Sequence, residues 1–156
     1  MANKKQEFQT MKNVKCDLEK MNLLAKDIAS RLSIGNILCL KGDLGAGKTT
    51  FAKMVINALE KGESEVTSPT FNIVNVYNLS NSVALWHFDL YRLKEIGEVD
   101  QLGIEDAFSS GISIIEWPEI IENSLPKHTM FVSIDFAAEN DMRLISIRSG
   151  DESIEN

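Results

Sequence analysis

The chain opens with a polar stretch and then takes on the pattern of an amphipathic helix. From residue 18 onward, apolar side chains recur every three or four positions, the period of one helix face, at Leu18, Met21, Leu24, Ala25, Ile28, Ala29 and Leu32. Asp17 stands where an N-cap is needed, and Gly35 follows as a stop signal. Residues 1 to about 15 are mostly polar and predict a frayed tail that contains one short strand.

Two continuous apolar runs predict strands that are buried on both faces of a sheet. Residues 37–40 form the first run, and residues 112–115 form the second, which ends at Glu116 before Pro118. Between these runs, residues 49–59 return to helical spacing. A strand, a glycine-rich turn and a helix therefore follow one another directly in the first half of the chain.

The remaining elements are predicted to be hairpins and short helices. Residues 71–77 and 83–88 read as strands around a polar turn, which favours an antiparallel hairpin. Residues 96–108 mix polar and apolar side chains as short helices do, and residues 130–136 and 144–147 alternate like the strands of a terminal hairpin. Strands that alternate with helices in this way indicate an α/β fold.

Length and composition narrow the class of protein. The 156 residues suffice for one domain, and no repeat or linker divides them, so we expect a single domain over residues 1–156 with disordered tails at 1–6 and 150–156. A hydrophobic fraction of 44% and a charged fraction of 25% exclude disordered and fibrous proteins. No apolar run approaches the roughly 20 residues of a membrane span, and the first residues lack the apolar core of a secretory signal. The expected compartment is the cytoplasm.

The net charge and the cysteine spacing argue against direct nucleic-acid binding and against a cysteine metal site. With 23 acidic and 16 basic residues, the net charge of −7 disfavours direct nonspecific binding to nucleic acid, so any contact with RNA would come through a partner. Cys16 and Cys39 lack the spacing of a metal site, and Cys39 lies within an apolar run where a buried thiol is expected.

Residues 42–49 match the phosphate-binding pattern G-x4-G-K-[ST] completely. Glycines allow the backbone N–H groups to surround phosphate oxygens at a helix N-terminus, Lys48 would reach the β- and γ-phosphates, and Thr49 would ligate Mg²⁺. The alternative is a glycine-rich turn without a ligand, but the strand before it and the helix after it favour nucleotide binding. The predicted nucleotide contacts in this segment are Gly42, Leu44, Gly45, Ala46, Gly47, Lys48, Thr49 and Thr50.

A phosphate-binding loop needs a second acidic group to complete the shell of the metal, usually at the end of a neighbouring core strand. Glu116 holds that position, and we predict Thr49 and Glu116 as the Mg²⁺ ligands. A carboxylate that ends a strand is by itself more often a solvated surface group, but the phosphate-binding loop upstream makes a metal ligand the favoured interpretation of Glu116. Since the guanine-specific N-K-x-D motif is absent, ATP is favoured over GTP.

Two more polar segments carry candidate chemistry. Thr67, Ser68 and Thr70 place hydroxyls beside a proline, as a γ-phosphate sensor would, although a capped turn before a strand is an equally good interpretation. Asp89 follows a strand and is our candidate for orienting the attacking water; a second-shell metal contact and a structural acceptor stay open as alternatives. His87 is close enough in sequence to join Asp89 in a polar cluster, but a histidine between aromatic neighbours is more often structural.

Together, four segments occur in the order and spacing of one family, at residues 42–50, 68–71, 87–92 and 115–119. On these segments the chain resembles the bacterial TsaE (YjeE) family of tRNA threonylcarbamoyladenosine biosynthesis ATPases, over roughly residues 17–120. The resemblance implies an α/β, three-layer sandwich of the P-loop NTPase type, with a mixed sheet of parallel core strands and antiparallel hairpins.

The same resemblance implies an activity, partners and further site residues. It implies a Mg²⁺-dependent ATPase that works with the TsaD and TsaB proteins on tRNA. Trp117 corresponds to a residue beside the nucleotide, Arg143 is the candidate for the family's basic residue near the nucleotide, and Lys48, Asp89 and Glu116 form the expected catalytic set. The sequence offers no obvious arginine finger, and only Arg92 and Arg143 are placed where one could act. We therefore expect slow hydrolysis by the protein alone and faster hydrolysis in the complex.

Two other classes of function remain open at this point. A small-molecule kinase would share the phosphate-binding loop, but it should also show an arginine-rich lid, and no such cluster is present in the sequence. A nucleotide-switched interaction module would bind ATP without needing to hydrolyse it. The fate of the γ-phosphate distinguishes the three classes: an ATPase releases it, a kinase transfers it to an acceptor, and a switched module can act without cleaving it from ATP.

Overall fold

A seven-stranded mixed sheet forms the centre of the computed structural model, which describes residues 9–60, 66–69 and 71–150. Its strands in chain order are β1 (Met11–Cys16), β2 (Ile37–Lys41), β3 (Val74–Asn78), β4 (Ala84–Asp89), β5 (Gly111–Glu116), β6 (Met130–Phe136) and β7 (Arg143–Ser149). The helices are α1 (Leu18–Arg31), α2 (Lys48–Leu59), α3 (Ile96–Asp100) and α4 (Ile104–Ser110), with a 3₁₀ helix at Pro118–Ser124.

The order of the strands explains why the candidate residues meet. The sheet runs β1-β7-β6-β2-β5-β4-β3, and β2 pairs in parallel with both β5 and β6. Strand β4 is also parallel to β5, so the carboxyl ends of β2, β5 and β4 lie side by side. In an open α/β sheet, ligands bind at this end of the strands.

The sheet separates two apolar cores, so the molecule has three layers. Helices α1 and α2 cover one face, where Phe51 and Ile56 are fully buried against the strands. Helices α3 and α4 and the 3₁₀ helix cover the other face, where Phe88 and Ile115 are fully buried. The predicted α/β class, with a parallel core and antiparallel hairpins, is confirmed.

Asp17 caps α1 as predicted, since its side chain accepts a hydrogen bond from the backbone N–H of Lys20 at 2.8 Å. The predicted stop at Gly35 is wrong, because α1 ends at Arg31 with Leu32 as its C-cap, and Gly35, with a φ of +89°, lies in the following turn. Within the described residues, no helix is both long and apolar enough to cross a membrane.

The first hairpin and the tails differ from the prediction in their boundaries. Strand β3 begins at Val74 rather than at 71, because Ile73 adopts a positive φ of 69° that interrupts the extended backbone, and Phe71 is exposed. The N–H of Gly150 donates to the carbonyl of Thr129 at 2.7 Å, so this residue continues the hairpin rather than the tail. The expected disordered segments 1–6 and 151–156 lie outside the described residues, as does Thr70.

Candidate functional site

The glycine-rich segment forms a tight loop between the end of β2 and the start of α2. Gly42, Gly45 and Gly47 all have positive φ values, of 151°, 79° and 117° respectively. Such values strain other residues, which explains the glycines at these positions. The loop places the N-terminus of α2, with its unpaired N–H groups and positive dipole end, at the carboxyl edge of the sheet. This arrangement is suited to binding phosphate.

Lys48 is folded back onto its own loop. Its Nζ donates to the carbonyls of Gly42 at 2.7 Å and Asp43 at 2.9 Å, and it lies 4.1 Å from the ring centroid of Trp117. Only 5% of this lysine is exposed, and burial lowers its pKa from the ordinary value, against the raising effect of nearby Glu116. The structure therefore brings Lys48 and Trp117 together at the loop.

Thr49 and Glu116 meet across the gap between α2 and β5. The Thr49 hydroxyl donates to Glu116 Oε1 at 2.6 Å, and Glu116 is only 2% exposed. Both groups present oxygen atoms, the donors that Mg²⁺ prefers, and Mg²⁺ in nucleotide sites takes few protein ligands because phosphates and water complete its shell. The pair therefore fits the metal. Among the described residues, no group of three or more His, Cys, Asp or Glu forms a separate cage for a metal ion.

His87 is the site residue whose role the sequence analysis missed. Its ring is fully buried, and Nε2 lies 2.7 Å from Glu116 Oε2, so both oxygens of Glu116 have a partner. The sequence suggested a polar cluster with Asp89; the parallel pairing of β4 with β5 adds Glu116 to that cluster, and the ring makes its hydrogen bond to Glu116. No signal in the sequence identifies this contact, since 29 residues separate the two side chains.

Asp89 ends β4 directly beside Glu116, with which it is paired in register on β5. Its Oδ1 accepts the backbone N–H of Tyr91 at 3.1 Å. Burial raises the pKa of Asp89 above the ordinary value, and the negative charge of Glu116 adds to the rise, whereas the Tyr91 hydrogen bond opposes it. An acidic group with a raised pKa at the mouth of a phosphate-binding loop is suited to holding a water molecule and accepting a proton.

A pocket of about 360 Å³ opens at this edge of the sheet. Most of the predicted residues line it, namely Leu44, Gly45, Gly47, Lys48, Thr49, Thr50, Asp89, Glu116 and Trp117. Tyr91, to which the sequence analysis gave no role, and Arg92, a candidate arginine finger, complete the lining. The Tyr91 ring lies 4.8 Å from that of Trp117, and Arg92 lies 5.1 Å from the exposed ring of Phe71.

The remaining predicted nucleotide contacts, Gly42, Ala46 and Arg143, do not line the pocket but lie on the side of the loop that faces away from it. Ala46 is 1% exposed, and Gly42 packs so tightly that a Cβ atom there would overlap the carbonyl oxygen of Ile134 on β6. Arg143 donates from Nε to the Ala46 carbonyl at 2.8 Å and from Nη1 to the carbonyls of Asn140 and Met142. The structure thus brings Arg143 to the loop, but as a contact to its backbone.

The hydroxyl segment after α2 lies along β3. The Thr67 carbonyl accepts hydrogen bonds from the side chains of Asn75 and Tyr77, each at 3.3 Å. The Pro69 carbonyl accepts from the N–H of Ile73, whose own carbonyl accepts from the N–H of Asp89. This chain of backbone contacts joins the segment to the end of β4, where Asp89 lies.

Comparison with known proteins agrees with this geometry. The family model described as "Threonylcarbamoyl adenosine biosynthesis protein TsaE" matches residues 16–145. The chain is 40% identical over 129 residues to the tRNA threonylcarbamoyladenosine biosynthesis protein TsaE of Rickettsia conorii, with coverage of 83% of this chain and 73% of that protein. It is 35% identical over 127 residues to the protein of the same name from Bacillus subtilis, with coverage of 81% and 78%.

A solved structure supports the same assignment. The crystal structure of Bacillus subtilis YdiB superposes with a TM-score of 0.69 at 28% sequence identity, and the match covers 93% of this chain and 90% of that one. The fold, the phosphate-binding loop and the family match agree over most of the chain. The chain belongs to the TsaE family of threonylcarbamoyl adenosine biosynthesis proteins.

Proposed function

We propose that this protein is a Mg²⁺-dependent ATPase that acts with TsaD and TsaB in the cytoplasm to support threonylcarbamoyladenosine modification of tRNA. The observation that carries the proposal is the 2.6 Å contact between Thr49 of the phosphate-binding loop and Glu116 at the end of the adjacent strand. The relatives from Rickettsia conorii and Bacillus subtilis are named for this biosynthesis. The net charge of −7 favours contact with tRNA through the partners.

Each residue of the pocket has a definable task in hydrolysis. The N–H groups at the start of α2 would surround the phosphates, and Lys48 would exchange its two loop carbonyls for phosphate oxygens. Thr49 and Glu116 would hold Mg²⁺, which neutralises the charge of the phosphate oxygens when it is bound. Asp89 would orient the attacking water and accept its proton, a task that its raised pKa favours.

The distribution of positive charge supports a need for partners. Lys48 and Arg92 are the two cationic side chains that line the described pocket, and Arg143 is held by backbone carbonyls. An arginine that reaches the transition state typically raises the rate of phosphoryl transfer by about 10³ or more. Because the Arg92 guanidinium lies over the Phe71 ring and Arg143 is held by the loop, we expect neither to reach the transition state in the isolated protein. Hydrolysis should therefore be slow alone and stimulated in the complex.

The test is ATP hydrolysis by the purified protein, alone and with TsaD and TsaB from the same source. We expect the partners to raise the rate, and we expect Lys48→Ala to abolish the stimulated activity. Lys53→Ala is the matched control, because Lys53 lies one turn further along α2 and does not line the pocket. Equal rates with and without partners would contradict the proposal.

The two other classes of function have distinct signatures in the same system. A kinase would transfer the γ-phosphate to a small acceptor instead of releasing it. A nucleotide-switched module would keep its role in tRNA modification when Glu116→Gln removes hydrolysis but leaves ATP binding. Under our proposal, Glu116→Gln should bind nucleotide and fail in both hydrolysis and modification.

A further inference from the structure

The buried contact between His87 and Glu116 has no task in the account of hydrolysis given above. His87 is 0% exposed and Glu116 is 2% exposed, and their atoms Nε2 and Oε2 are 2.7 Å apart. Water cannot replace either partner in such a place, so the carboxylate depends on the imidazole for the hydrogen bond at Oε2.

The chemistry of the two groups indicates which one donates the hydrogen bond between His87 and Glu116. An ionised carboxylate only accepts, so Nε2 carries the hydrogen and donates it to Oε2. The other ring nitrogen, Nδ1, is buried and has no hydrogen-bond partner among the described residues. Glu116 is therefore the hydrogen-bond partner of this ring among the described residues.

Glu116 is held on two sides, by Thr49 at Oε1 and by His87 at Oε2. The Thr49 hydroxyl donates to Oε1 at 2.6 Å, and its oxygen keeps lone pairs for a metal, so Oε1 and Thr49 together form the metal-facing side of the carboxylate. The His87 bond to Oε2 is on the other side of the carboxylate and does not involve a metal-ligating oxygen of Thr49. His87 is thus the contact that holds the carboxylate from the side opposite the metal.

We propose that His87 is a positioning residue: its hydrogen bond to Oε2 fixes the Glu116 carboxylate so that Oε1 stays beside the Thr49 hydroxyl, where the two oxygens would bind Mg²⁺ together. This inference rests on the proposed function, since it assigns the second support of the same metal ligand. Hydrogen-bonded partners of metal ligands typically contribute about 10- to 100-fold to metal affinity. We expect His87 to contribute in that range without contacting nucleotide or metal.

The test is the affinity for ADP, measured by calorimetry in excess EDTA and again in excess Mg²⁺. His87→Asn keeps a polar side chain on β4 but is too short to reach Oε2, and His87→Gln retains a donor at about the position of Nε2. We expect all variants to bind ADP equally in EDTA. The strengthening by Mg²⁺ should fall about tenfold or more in His87→Asn and should be largely restored in His87→Gln.

The possible outcomes separate this inference from the function on which it rests. If the wild-type protein binds no ADP, or gains nothing from Mg²⁺, the proposed function fails together with the role of His87. If the wild type gains from Mg²⁺ and His87→Asn gains equally, only the role of His87 is overturned. A His87→Asn protein that binds more weakly by the same factor in EDTA and in Mg²⁺ would show a structural role and would also overturn it. Thermal unfolding of each variant identifies any loss of folded protein.

Discussion

Replacing Gly42 with alanine tests whether the phosphate-binding loop must lie directly against β6. A Cβ atom at Gly42 would overlap the carbonyl oxygen of Ile134, and the φ of +151° is a value that residues with side chains rarely adopt. Since ordinary carbon–oxygen contacts begin at about 3.3 Å, the loop would have to move away from β6 by roughly an ångström. The overlap involves backbone on both sides, so no side chain can rotate to relieve it.

The expected loss of activity follows from how little displacement a catalytic site tolerates. Catalytic groups must be held within about 0.5 Å, and a misplacement of about 1 Å can cost roughly 100-fold in rate. We therefore expect Gly42→Ala to lower kcat/KM for partner-stimulated ATP hydrolysis by about 10- to 100-fold and to weaken ADP binding. The assays are phosphate release at varied ATP concentration and calorimetric binding of ADP.

Gly35→Ala is the matched control, because it has a positive φ but no overlap. Gly35 has a φ of +89°, and the nearest atom to an added Cβ, the Phe108 carbonyl oxygen, is 3.9 Å away. This variant should lose about 1 kcal/mol of folding free energy through backbone strain, or about 2–4 °C in Tm, and keep its hydrolysis kinetics. If Gly42→Ala is as active as Gly35→Ala, the inferred packing of the loop against β6 is wrong.

Three further predictions concern side chains around the site and on the surface. Burial raises the pKa of Asp89 in the folded protein, so folding stability is lost as pH rises from about 4, where the unfolded chain ionises, up to the raised folded value. Asp89→Asn should therefore unfold at higher urea concentration than the wild type at pH 7, and the difference should vanish below about pH 4. The same variant should lose hydrolysis, and retained stimulated activity would refute the role of Asp89. Arg143→Gln removes the bond to the Ala46 carbonyl and should weaken ADP binding about tenfold, as a lost charged hydrogen bond does, whereas Arg31→Gln on α1 should leave ADP binding unchanged. Lys15→Ala breaks an ion pair with Glu139 in which both side chains are about half exposed, so chemical denaturation should detect a change of less than about 1 kcal/mol.

Local sequence patterns predicted the elements well where one physical cause dominated. The run at 37–40 is apolar on both faces because β2 lies between two parallel neighbours, and the glycine spacing after it follows from the positive φ values of the loop. The start of β3 was missed because Phe71 and Ile73 have strand-forming side chains, while the backbone at Ile73 turns out of the extended region. Side-chain preference does not reveal such a local break.

Long-range pairing limited what the sequence could predict about the site. Glu116 was identified because a carboxylate at the end of a core strand is a local pattern, and the structure places it against Thr49. The contact of His87 with Glu116 depends on β4 lying parallel to β5, and no local pattern carries that register. Arg143 stays a prediction as a residue near the nucleotide; its bond to the Ala46 carbonyl depends on β7 lying against the loop, which no local pattern shows.

The most direct test of the account follows the γ-phosphate of labelled ATP in a mixture of this protein with TsaD, TsaB and tRNA. We expect the label to appear as inorganic phosphate, faster than with the protein alone, and we expect Lys48→Ala but not Lys53→Ala to abolish this release. Label transferred to a small-molecule acceptor, or tRNA modification that proceeds without consumption of ATP, would contradict it.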